Sequence, residues 1–87
     1  MIYFDSSQSF IDANITSPIY FCIYHHHYVI GFYYGDRHSN VLHNLNGPAR
    51  VFIKSGILQY YINDTFVGEN LSNQQFQSKV KEFVFQK

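Results

Sequence analysis

A single cysteine, Cys22, excludes an internal disulfide in this 87-residue chain and suits a reducing cytoplasm. Charge is scarce. Six basic and six acidic residues cancel to a formal net charge of zero. That removes the electrostatic footprint expected of a nucleic-acid binder and the polybasic segment expected at an anionic membrane. No apolar run approaches the roughly 18 residues of a membrane span, and no charged leader opens the chain. C-x-x-C pairs and Gly-rich phosphate loops are missing. The six carboxylates, Asp5, Asp12, Asp36, Asp64, Glu69 and Glu82, scatter over turns and a helix instead of pairing for acid–base work. Cys22 stands in an apolar stretch, where a thiol behaves as a small inert hydrophobe. The expectation is a chain that is not an enzyme, with no catalytic residue and no cofactor.

What is abundant is aromatic surface. Eight tyrosines and nine phenylalanines make up 20% of the residues, although tryptophan is absent. A chain of this length forms one domain and buries only about 60–65% of the surface its unfolded form exposes. Rings that each cover roughly 150–250 Å² exceed what so small a monomer hides. A homodimer or a sticky binding face is the expected cover.

The most informative stretch is 41–68, VLHNLNGPARVFIKSGILQYYINDTFVG. Segments 49–54 and 57–63 are rich in β-branched and aromatic residues, and Ser55-Gly56 between them suits a tight turn. A two-residue turn pairs Lys54 with Ile57, Ile53 with Leu58, Val51 with Tyr60 and Ala49 with Ile62. Period-two alternation then gathers Ala49, Val51, Ile53, Leu58, Tyr60 and Ile62 on one apolar face. Arg50, Phe52, Lys54, Ile57, Gln59, Tyr61 and Asn63 fall on the other. A slip of one residue would put Arg50 and Lys54 in the core, so the burial pattern selects the faces.

The rest of the chain is read by the same rules. Residues 1–5 suggest a short strand, and 6–14 a brief serine-capped helix with Phe10 and Ile11 facing inward. Residues 19–24 and 28–34 suggest two strands with His25, His26 and His27 at or near the bend, a single long bent strand being the alternative. Gly31 inside the second implies a bulge or a close backbone approach. Residues 35–40 are a polar loop. At Leu45-Asn46-Gly47-Pro48 a turn exploits the left-handed tolerance of Asn-Gly. Asn63-Asp64 turns into a strand over 65–67. Over 72–86 the period changes to 3.6: Phe76, Val80, Phe83 and Val84 make one helical stripe, and Ser72 and Gln75 have capping-box spacing. Lysines near the end complement the helix dipole. The fold class is therefore α+β, a twisted antiparallel β-meander of five or six short strands with a C-terminal helix.

Two constellations merit weighing as sites. In a strand His25 and His27 point to one side, and Cys22, Asp36, His38 or His43 are the further donors a zinc ion would need. No H-x-x-x-H spacing supports this, so the expectation is no metal. Arg50, Phe52, Ile57 and Tyr61 have the aromatic-plus-arginine composition of interface centres. Either a partner buries that face, or the C-terminal helix or other strands do.

Leu42-His43-Asn44-Leu45-Asn46-Gly47-Pro48-Ala49, followed by Ser55-Gly56, Tyr60-Tyr61-Ile62-Asn63-Asp64 and Val67, resembles a MORN-like repeat of the LHxxxGPA type common in small bacteriophage and bacterial proteins. It covers about one unit, with Asn44 where the family usually has Arg or Lys and Asp64 where it has Gly. The resemblance implies short antiparallel strands, no catalytic residues and use as an interaction scaffold. Its phage association implies an accessory protein of the host-cell cytoplasm that binds a bacterial host protein and inhibits or redirects it. A single-stranded nucleic-acid binder is the alternative expectation, carried by Phe52 and Tyr61 flanked by Arg50 and Lys54, and a metal-dependent enzyme the third.

Overall fold

A computed structural model describes residues 1–26 and 28–85, with Val84 and Phe85 described by their backbone alone. The elements in chain order are β1 (Ile2–Phe4), α1 (Ser7–Asp12), β2 (Ile19–His25), β3 (Val29–Gly35), β4 (Asn40–Leu42), β5 (Arg50–Phe52), β6 (Leu58–Ile62), β7 (Thr65–Glu69) and α2 (Asn73–Phe85). The strands form one mixed, mostly antiparallel sheet ordered β1-β2-β3-β5-β6-β7, with β4 paired to β3 off that path. The α+β class with a C-terminal helix follows.

Two details depart from a plain meander. β1 runs parallel to β2, because α1 carries the chain back across the sheet before β2 starts. And the loop at 35–40 leads into a strand that begins at its last residue: Asp36 Oδ1 accepts from the backbone N–H of His38 at 2.8 Å and of Ser39 at 3.0 Å. That side-chain turn reverses the chain, so that Asn40–Leu42 pairs with β3.

The central hairpin is antiparallel, but its register differs from the two-residue turn by two positions. Val51 pairs with Leu58 and Arg50 with Gln59. Ser-Gly is a poor two-residue turn, since those turns require a positive φ at their first position. Only Gly56 takes one, at +73°. It closes a longer loop in which its N–H donates to Phe52 O at 2.8 Å. Ile53 leaves the apolar face for that loop and is exposed. Lys54 joins it in the loop, and because the shift is even the residues that stay paired keep their faces.

The following hairpin has the expected two-residue turn: Asn63 and Asp64 hold φ of +48° and +68°, and Ile62 pairs with Thr65. At 45–48 the bend is not a left-handed Asn-Gly. The Asn44 side chain holds it, donating to Pro48 O at 3.0 Å and accepting from Asn46 N–H at 3.0 Å.

Each helix covers one face at one end of the sheet. Ser6 caps α1, accepting from Ser9 N–H at 3.1 Å. Phe10 stacks on Phe21 with ring centroids 3.9 Å apart, in a cluster with Ile23. Ile11, expected inside, is exposed, because six helical residues turn only one side to the sheet. In α2 the capping box forms both its bonds, Gln75 N–H to Ser72 Oγ at 3.1 Å and Ser72 N–H to Gln75 Oε1 at 2.8 Å. Phe76 is buried against Tyr60 and Ile62, with Val80 and Phe83 beside them. Of the predicted stripe, the Val84 side chain lies outside what is described, and so does Gln86, the predicted end of the helix. Lys79 and Lys81 stop short of the last turn, which holds no base, so they add little to the dipole.

Pairing fixes which faces these are. Phe21 pairs with Tyr33, Ile23 with Gly31, Gly31 with Arg50, and Arg50 with Gln59. Directly paired residues share a face, so α1 sits on the Arg50 face at the β1–β2 end. Tyr60 and Ile62 point the other way, and α2 sits on that opposite face at the β6–β7 end.

Candidate binding face

This diagonal arrangement leaves the Arg50 face uncovered by either helix at its β5–β6 end. Arg50, Phe52, Ile57 and Tyr61 all lie there, and all four are half-buried. The C-terminal helix is not their cover. Phe52 pairs with Val29, and its N–H donates to Ile57 O at 2.9 Å. The Arg50 guanidinium lies 5.4 Å from the centroid of Tyr61, whose ring meets Phe66 edge-on at 5.4 Å. At the hairpin tip the Lys54 ammonium stands 4.5 Å above the exposed Tyr28 ring. Arg50 on this face and Lys54 at the tip are thus each held over an aromatic ring, which keeps their charge accessible while their stems pack.

Between β2, β3 and β5 the same face sinks into a shallow depression of about 290 Å³ lined by His25, Val29, Tyr33, Arg50 and Phe52. Ile57 and Tyr61 stand outside it. Its floor depends on Gly31. The Tyr33 ring lies down across that glycine, where a Cβ would meet the hydroxyl oxygen at 2.6 Å and the ring carbons at 2.7 and 2.8 Å. So placed, Tyr33 stacks on Phe21 at 5.3 Å and its hydroxyl shares a 2.9 Å hydrogen bond with His25 Nε2. Gly31 serves a close approach, as expected, but of a side chain. Burial, then the Arg50 charge and His26, lower the pKa of His25. Burial raises that of Tyr33, against the pull of Arg50.

Sequence reasoning brings Arg50 and Phe52 together but misses His25 and Tyr33 as their neighbours. The signal present was a glycine two positions before a tyrosine on one strand face, which marks a ring lying over the gap.

Among the described residues no three His, Cys, Asp or Glu side chains converge as metal donors. His27 lies outside the described residues. His26 takes the positive φ of the β2–β3 turn, at +53°. His43 is buried, and its Nδ1 accepts from Asn63 N–H at 3.0 Å. Burial lowers its pKa and pushes that of the fully buried Cys22 up to about 11, away from thiolate chemistry. No described helix is long and apolar enough to cross a membrane.

No family model, no curated protein and no solved structure matches this chain.

Proposed function

We propose that this chain is a non-enzymatic protein-binding module whose docking surface is the sheet face bearing Arg50, Phe52, Ile57 and Tyr61. The observation that carries the reading is the placement of α2 on the opposite face. It leaves an arginine held over a tyrosine, with a phenylalanine and an isoleucine beside them, without a helix above. Such a group of residues supplies most of the binding energy when a partner desolvates it. The MORN-like resemblance points the partner toward a bacterial host protein of a phage-encoded chain, inhibited or redirected by stoichiometric binding in the host cytoplasm.

The test is affinity capture from host lysate with the wild-type chain and with Phe52→Ala/Tyr61→Ala. The expected result is capture by the first, loss by the second, and unchanged circular dichroism. Equal capture by both contradicts the reading, as does a variant that no longer folds, which would make the two rings core.

The rings paired with cations, Arg50 over Tyr61 and Lys54 over Tyr28, also suit a single-stranded nucleic acid. Micromolar, steeply salt-dependent binding to oligonucleotides would favour that reading instead.

A further inference from the structure

Arg50 carries five N–H donors in a fixed fork, and the structure engages little of it. Among the described residues its contacts are with neutral groups, Gln59 Oε1 at 3.4 Å and the Tyr61 ring at 5.4 Å. The acid of its cross-strand row, Glu69, stands one residue further out, where its Oε1 accepts from Gln59 Nε2 at 3.2 Å. Arg50 thus stands at the β6 edge of the depression, half-buried and lining it with Val29, Tyr33 and Phe52, with most of its donors unspent. Tyr33 adds a second donor. When His25 Nε2–H donates to the tyrosine oxygen across their 2.9 Å bond, the tyrosine proton is free to reach a further acceptor. The apolar walls supplied by Val29 and Phe52 fit a ligand with a hydrocarbon stem behind its charge.

We propose that this depression binds a carboxylate on an apolar stem, with the oxygens against the Arg50 fork and the Tyr33 hydroxyl and the stem on Val29 and Phe52. The inference rests on the reading of this face as a protein-docking surface and names what the partner offers it: an aspartate or glutamate side chain next to an apolar residue. A planar carboxylate matches a guanidinium with two parallel hydrogen bonds, and the partly desolvated floor strengthens them.

Benzoate is the probe, and benzamide, the same ring without the charge, its control. Titrated into the full chain and followed by NMR, benzoate should shift the His25 and Tyr33 ring signals to saturation while benzamide leaves them in place. Arg50→Gln should abolish the response with its melting curve unchanged, and Arg50→Lys, which keeps charge but loses the fork, should weaken it about tenfold. Benzamide acting as well as benzoate would overturn the inference, and so would Arg50→Gln responding like the wild type. The two readings separate cleanly. Arg50-dependent benzoate binding with capture indifferent to Phe52 and Tyr61 leaves the carboxylate site standing and removes the docking surface. Capture that depends on those rings, without Arg50-dependent benzoate binding, keeps the docking surface and removes the carboxylate site.

Discussion

Tyr33 shows how one side chain can depend on an atom that another residue lacks. Its ring occupies the space a Cβ at Gly31 would fill, so Gly31→Ala must lift it from both Phe21 and His25. The expected cost is about 1–3 kcal/mol, as for overpacking elsewhere, read as a lower denaturant midpoint. Adding Tyr33→Leu, which clears the clash, should recover part of it; an unchanged midpoint in the single variant contradicts the placement. His43 carries a second prediction. Burial lowers its pKa from 6.5, and burial with Arg50 and His26 lowers that of His25. The unfolded chain therefore takes up protons first, and stability falls as pH drops below about 6.5, with the loss complete once the folded histidines titrate. His43→Asn keeps an acceptor for Asn63 N–H without a titrating group, so its melting temperature should vary less with pH between 7 and 5. Equal slopes would refute that role.

Single elements differ in how plainly the sequence announces them. The α2 capping box was legible because a serine and a glutamine three apart have one shared use, and both bonds form. Ser72→Ala should therefore cost about 0.5–2 kcal/mol in chemical denaturation, and a negligible change would mean the box contributes nothing. The faces of the β5–β6 hairpin were legible because alternation survives any even shift. Its register was not, since it hangs on whether Ser55 tolerates a positive φ. β4 was hidden where a polar loop meets the stretch that follows it, its formation resting on one Asp36 oxygen holding two backbone amides. Likewise the Arg50–Phe52 half of the candidate site could be read from the hairpin. The His25–Tyr33 half could not, because nothing local says that β3 lies beside β5.

For the whole molecule, the decisive feature is that two helices cover opposite faces at opposite ends of one sheet. Diagonal cover leaves two open quarters. One is the Arg50 face. The other, on the α2 face at the β1–β3 end, carries Tyr3, Tyr20 and Tyr34, which are 61%, 54% and 38% exposed. Aromatic area of this kind is what a second copy of the chain would bury. Sedimentation equilibrium should return a dimer that Tyr20→Ser/Tyr34→Ser converts to monomer, whereas a wild-type monomer at high micromolar concentration would remove the homodimer from the account. The central claim, that α2 leaves the Arg50 face open, is tested most directly by side-chain NMR with a soluble gadolinium chelate. Signals of Arg50, Phe52 and Tyr61 should broaden while those of Tyr60, Ile62 and Phe76 are spared. The reverse pattern, or equal protection of both sets, would contradict it.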